Sequence, residues 1–318
     1  MTRYGHGLVP GRFCPPHAGH HHLVRTAEDR CRRLTVLVRA HADDPLPHGD
    51  RVEWMREIHP RVQVAGRLDD IAGPVDAVFG ADAGPGAYAD ALARHLGAQS
   101  VCVDPGHTVF PVSAAAVRKD PIACWDYLEP PVRAALARRV VVLGAESSGA
   151  TTMARALAEH YRRRGGVWST TRYVPEYRPA PGAGLTSEDF PLIALRRSER
   201  EEAAARTGSP VLFCDGDAFA ATIWHERYVG AASAETARIA ARGRHHLWLL
   251  TDHRDVPLAR EDTLRAWTTA RLRTQLAHTG RRTVLLTGPH EVRMGTAVAA
   301  VDALLAEAPH LTPVPETR

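Results

Sequence analysis

Apolar positions in this chain fall into short, dense runs, separated by stretches in which apolar residues recur every three to four positions. In the first half, residues 7–10 form a short apolar lead, residues 20–31 look like a helix, and residues 34–38 look like a buried strand. Residues 51–58 read as an amphipathic helix stopped by Pro60, and residues 62–64 and 75–79 read as strands. In the second half, the β-branched run 140–143 predicts a buried strand, followed by a turn from Gly144 to Gly149 and an alanine-rich helix opening at Thr151 and reaching residue 164. Beyond a turn at Gly165-Gly166 come a charged helix over 190–206, a strand from Pro210 ending in Asp215 and Asp217, and a helix over 218–228. A strand at 246–250, a helix at 264–279, a strand at 283–287 and a last helix from Thr296 complete the pattern. Strands alternating with helices predict an α/β fold of two doubly wound parallel sheets. A linker at Glu129-Pro-Pro131 and a short helix after it place the boundary between domains at 1–136 and 137–318.

The turn after residues 140–143 carries candidate chemistry. Gly144-Ala-Glu146-Ser147-Ser148-Gly149-Ala150-Thr151-Thr152 has the layout of a phosphate-binding loop, G-x-x-x-x-G-K-[ST], in its strand-turn-helix context. Its backbone N–H groups and the helix N-terminus would surround a polyphosphate, and the Thr151 hydroxyl would hold Mg²⁺. The lysine that would neutralise the outer phosphates is Ala150, and Lys119 is the only lysine in the chain. Asp215, at the end of a neighbouring strand, is the expected carboxylate for Mg²⁺ or its waters.

The first half offers Gly11-Arg12-Phe13-Cys-Pro-Pro-His17-Ala-Gly19-His20 between a strand and a helix. This resembles the nucleotidyltransferase superfamily signature G-x-F-x-P-x-H-x-G-H. The resemblance implies that His17 and His20 bind ATP phosphates and stabilise charge at the α-phosphorus, and that Gly19 lets the helix N-terminus approach the nucleotide. Charge neutralisation and positioning are what such transfers require. An inert, solvated helix start is the bland alternative, and zinc on His17, His20 and His21 is a third. Phe110-Pro-Val-Ser113-Ala-Ala115-Ala-Val-Arg118 is similar to the second transferase motif, I-S-x-T-x-I-R, with Ala115 for its threonine. There Ser113 would cap the following helix and Arg118 would pair with a β- or γ-phosphate. Phe79-Gly-Ala-Asp82 stands where such transferases place a strand end beside the substrate, but Gly80 to Gly86 is glycine-rich and short of hydrogen-bonding side chains.

Taken together, a transferase half followed by a phosphate-loop half resembles the bifunctional NadR family, in which an NMN adenylyltransferase is fused to a ribosylnicotinamide kinase. Besides the two loops, the resemblance rests on Val174-Pro-Glu176-Tyr177, Asp215-x-Asp217 with Ala220-Ala-Thr222-x-Trp224, Asp252, Asp255-Val-Pro257, and Thr287-Gly288-Pro-His-Glu291-x-Arg293. It implies ATP and Mg²⁺ as cofactors and NMN or a nicotinamide-riboside-like compound as acceptor. It also implies Glu176 and Asp215 near riboside hydroxyls, and Arg265 as a lid arginine over the phosphates. Tyr177-Arg178-Pro179-Ala180 is small or rigid where polar substrate contacts are expected, and Pro181-Gly-Ala-Gly184 reads as a mobile loop. Three readings stay open: adenylyl transfer to an NMN-like ribotide with a weakened kinase half, transfer to another small acceptor, and nucleotide sensing without turnover.

Composition narrows little more. A 44% hydrophobic and 24% charged chain of 318 residues is ordinary for a soluble protein of two domains. The net charge of +4 comes without a like-charge run, and too few residues precede Gly11 for a helix-turn-helix, so nucleic-acid binding is not expected. Five scattered cysteines without a C-x-x-C pair suggest reduced thiols in a cytoplasmic protein, and no apolar run is long enough to span a membrane. A homo-oligomer is compatible with all of this.

Overall fold

The computed structural model describes residues 4–81, 87–177, 184–254, 256 and 263–307. The chain divides into two compact units, the first ending at Val132 and the second spanning Arg133–Glu307.

The first unit begins with β1 (Tyr4–Gly11), α1 (Ala18–Arg30), β2 (Cys31–Val38), α2 (His48–Ile58) and β3 (Gln63–Ala65). It continues with β4 (Ala77–Gly80), α3 (Tyr88–Leu96), β5 (Gln99–Cys102) and α4 (Ala114–Lys119). The strands form one parallel sheet in the order β3-β2-β1-β4-β5. Successive side chains of its central strands are buried on opposite faces. Val9, Val36, Val38 and Phe79 pack with Val24 and Ala27 of α1 and Met55 of α2. Leu8, Leu37 and Val78 pack with Leu92 and Ala93 of α3. Cover on both faces is why these strands read as continuous apolar runs instead of alternating ones.

At the boundary, α5 (Pro130–Leu136) opens on the two prolines read as a linker. Proline suits a first helical turn, where its missing N–H would have no intrahelical partner.

The second unit runs β6 (Arg138–Gly144), α6 (Ala150–Arg162), β7 (Arg172–Val174), α7 (Asp189–Thr207), β8 (Val211–Asp215) and α8 (Ala218–Val229). It ends with α9 (Ala234–Ala240), β9 (Leu247–Thr251), α10 (Thr263–His278), β10 (Thr283–Leu286) and α11 (His290–Ala306). Its sheet, also parallel, has the order β10-β9-β6-β8-β7. On one face Val140, Val142, Phe213 and Leu249 meet Met153, Leu157 and Tyr161 of α6 and Ala297 and Val301 of α11. Val141, Leu212, Cys214 and Leu250 are equally buried on the other face. Both units are thus the parallel α/β folds that the strand-helix alternation predicts.

Several element readings change. The last helix begins at His290, six residues before Thr296, because Pro289 sets the turn before it and Glu291 suits a helix N-terminus. Cys31 belongs to β2 and not to α1. α3, β5, β7 and α9 have no counterpart in the sequence reading. β5 is a four-residue edge strand with mostly exposed side chains, so it carries no apolar run. Asp82 with the glycine-rich stretch to Gly86, Arg178-Pro179-Ala180, residues 181–183, and Asp255 with Pro257 lie outside the described residues.

Candidate functional site

Ligands of open parallel sheets bind beyond the carboxyl ends of the strands. In the first unit that edge carries the histidine loop. A side chain at Gly11 would run into the Phe13 ring, and Phe13 itself turns back with φ of +48° and is buried. His17 stands at the N-cap of α1 in an extended conformation, and its side chain caps nothing. The imidazole is therefore left to meet its neighbour: the His17 and His20 rings lie 3.8 Å apart, and Phe13 meets His20 edge-on at 5.0 Å. A Cβ at Gly19 would press on the His17 ring at 3.3 Å, so a larger residue there would displace it.

Burial, with the nearby His107, holds His17 down to about 4, and burial holds His20 well below its ordinary value. Both rings are neutral near pH 7, and the buried Nδ1 atom of each has no hydrogen-bond partner among the described residues. His21 turns away and shares a 2.9 Å hydrogen bond with His59. The three imidazoles of the zinc reading do not converge.

The second motif is tied to this loop. The Ser113 hydroxyl accepts from the Ala116 N–H at 3.1 Å and caps α4, and Arg118 on that helix donates to the Cys14 carbonyl at 2.5 Å. Arg12 pairs with Asp44 through Nε at 2.7 Å, while the fully buried Arg51 holds Asp44 at 2.8 Å and the Arg39 carbonyl at 3.0 Å. Gly11, Arg12, Phe13, His17, Gly19, His20, Ser113 and Arg118 are thereby gathered on one edge.

In the second unit the loop after β6 lines a cleft of about 210 Å³, together with Thr151, Thr152, Glu176, Asp215 and Trp224. Gly144 admits no side chain, since a Cβ would collide with the hydroxyls of Ser148 and Thr251. Those hydroxyls bond each other at 2.7 Å, and Thr251 also donates to the Leu143 carbonyl. Ser147 and Gly149 take positive φ of +58° and +91°, a backbone shape that gathers N–H groups into an anion-binding concavity.

Two buried arginines hold the loop's carbonyls from behind. Arg293 donates to Ser148, Asp252 and Gly288 carbonyls at 2.7–2.9 Å. Arg265 donates to those of Glu146, Ser147, His253 and Val256 at 3.0–3.3 Å. The expected lid arginine is instead a brace: Arg265 is 6% exposed, with its guanidinium committed to backbone. The Glu146 side chain pairs with Arg227 at 3.2 Å.

Of the two carboxylates after β8, Asp215 alone lines the cleft. Asp217 is fully buried, capping α8 through the Ala220 N–H and accepting from the Trp248 indole at 2.9 Å. Asp215 accepts from the Tyr173 hydroxyl at 2.9 Å and from the Thr151 side chain. Burial pushes its carboxyl up, those two hydrogen bonds pull it down, Glu176 pushes it up again and Arg197 opposes. Arg197 holds Glu176 at 2.8 Å, and Gly216 has no side chain because one would strike that guanidinium. Tyr173, Thr251 and Arg197 have structural roles here that no spacing in the sequence reveals. Their partners lie 42, 103 and 21 residues away.

These units define the class of fold: two doubly wound parallel α/β units in one chain, the second with the layout of a phosphate-binding loop after its central strand. Residues 139–293 match the family described as AAA domain. The chain is 25% identical over 261 residues to the trifunctional NAD biosynthesis/regulator protein NadR of Salmonella typhimurium, and 26% identical over 269 residues to that of Escherichia coli K12. Each match covers 70% of this chain and 63% of the relative, so the chain spans a little under two thirds of the curated relatives it matches. Crystal structures of NadR protein in complex with NR, and with NAD and AMP-PNP, superpose with a TM-score of 0.74 at 18% identity, over 96% of this chain and 98% of each of those. The chain is a diverged homologue of NadR, similar to it in sequence at about 25% identity and in fold.

Proposed function

We propose that the first unit transfers an adenylyl group from ATP to nicotinamide mononucleotide or a similar ribotide. The second unit is a riboside-kinase-like site weakened by the loss of the loop lysine. One observation carries the first part: the His17 and His20 rings lie tilted against each other with centroids 3.8 Å apart, and the motif-bearing Arg118 is bonded to the same loop. A phosphate oxygen of the ribotide attacks the α-phosphorus, the bond to the bridging oxygen of the β-phosphate breaks, and pyrophosphate leaves. His17 and His20 donate hydrogen bonds to the phosphates, and Arg118 takes up charge on the leaving group. An anion held against the two imidazoles would raise their proton affinity, so triphosphate binding takes up protons as pH falls.

In the cleft, the Thr151 hydroxyl and the Asp215 carboxylate lie within a hydrogen bond of one another, an oxygen donor pair that fits a hard cation such as Mg²⁺. When bound, that ion would neutralise phosphate charge. Asp215 accepts the proton of a riboside hydroxyl as that oxygen bonds to the γ-phosphorus and ADP leaves. A second reading, binding without turnover, is favoured by an intact loop frame beside Ala150.

Incubation with ATP, Mg²⁺ and either NMN or nicotinamide riboside, read by mass spectrometry, tests both. NAD from NMN supports the transferase. No product from either substrate, with nucleotide-dependent thermal stabilisation retained, sinks it in favour of the second reading.

A further inference from the structure

The cleft keeps its backbone frame and has lost its lysine, so the question is which cation now meets the outer phosphates. Four arginines around it are already committed. Arg265 and Arg293 hold carbonyls behind the loop, Arg197 holds Glu176 and the Asp217 carbonyl, and Arg227 pairs with Glu146.

Arg155 is placed differently. It is exposed, and it follows Thr151 by four residues on α6, so the two share a face about 6 Å apart along the axis. Helical side chains lean toward the N-terminus, which for α6 is the phosphate loop. The Arg155 guanidinium lies 5.4 Å over the Tyr173 ring and also reaches that residue's hydroxyl, which in turn donates to Asp215. The chain Arg155–Tyr173–Asp215–Thr151 therefore parks a cation on the carboxylate side of the cleft. An exposed cation-over-ring contact is weak enough to be exchanged for a charge-assisted bond to phosphate.

We infer that Arg155 supplies the phosphate-binding charge that Ala150 does not, reaching the terminal phosphate of ATP from the Thr151 side. This rests on the riboside-kinase reading of the cleft. A planar fork entering from that side meets the γ-phosphoryl oxygens rather than bridging β and γ from above the loop, as a lysine at 150 would.

The test measures ADP formation from ATP and nicotinamide riboside in the full chain, with pyrophosphate release from ATP and NMN as the first unit's separate readout. Arg155→Gln should lower kcat/KM for ADP formation at least 10-fold and leave pyrophosphate release within twofold. Adding Ala150→Lys to that variant should recover most of the loss. An Arg155→Gln variant as active as the parent overturns the inference. So does a loss that Ala150→Lys leaves uncorrected, which would make Arg155 only a support for Tyr173. If neither the parent nor Ala150→Lys forms ADP while pyrophosphate release is normal, the riboside-kinase reading itself falls, and Arg155's role with it.

Discussion

The two candidate sites sit at equivalent edges of two parallel sheets but prepare for phosphate by opposite means. In the first unit, side chains carry the preparation: two neutral imidazoles in contact, kept uncharged by burial, and an arginine bonded to their loop. In the second, the backbone carries it. Two positive-φ residues shape the loop, and two buried arginines hold its carbonyls from behind. A backbone cradle survives replacement of one side chain, because its geometry is set from behind. A side-chain pair does not. That is why Ala150 can stand in an otherwise complete loop, and why the same tolerance is not expected at His17.

The sharpest break in this comparison is His17→Ala. It should cut pyrophosphate release by about 10²–10³-fold, the usual cost of deleting one preorganised donor, with ADP formation from the riboside unchanged. Turnover at the parental rate would remove His17 from its assigned role. Next, Arg293→Gln should cost about 3 kcal/mol of second-unit stability, since three carbonyls lose a charged donor at once. Denaturant unfolding measures it, and a change below 1 kcal/mol would mean that the loop does not depend on its brace.

Acid should also loosen the first unit. His17 and His59 titrate near 4 and His21 near 3 when folded, against about 6.5 unfolded. The unfolded chain takes up protons first, so their contribution is complete above about pH 6.5 and is lost as pH falls toward 4. For His17 alone the loss amounts to about 2 kcal/mol by pH 5. Hydrogen exchange along α1 should accelerate over that range, and equal protection at pH 7 and 5 would contradict it. The smallest effect is Ser113→Ala, about 1 kcal/mol for a lost helix cap, seen as a lower midpoint of first-unit unfolding.

Legibility followed the range of the interaction. β1, β2, β6 and β8 were readable because burial on both faces leaves continuous apolar runs. The loop's glycines were readable because positive φ and close approach leave little choice of residue. Arg265 was misread as a lid because its sequence position says nothing of the carbonyls, over a hundred residues away, that it binds. Asp217, two residues beyond Asp215, is kept from the cleft by the fold, which gives its oxygens to Ala220 and Trp248. α9 is a seven-residue helix capped by Ser233, too short for a period to show.

By itself the sequence determined the α/β class, the strand-turn-helix setting of both loops, the resemblance to NadR, and the absence of a loop lysine. Each of these is a matter of local pattern or residue identity. Only the tertiary structure decided which charges face a cleft and which brace it from behind. Those assignments depend on pairs such as Arg293 with Ser148, 145 residues apart, and Ser148 with Thr251, 103 apart. A buried polar group must find a partner wherever packing delivers one, and packing is a property of the whole fold.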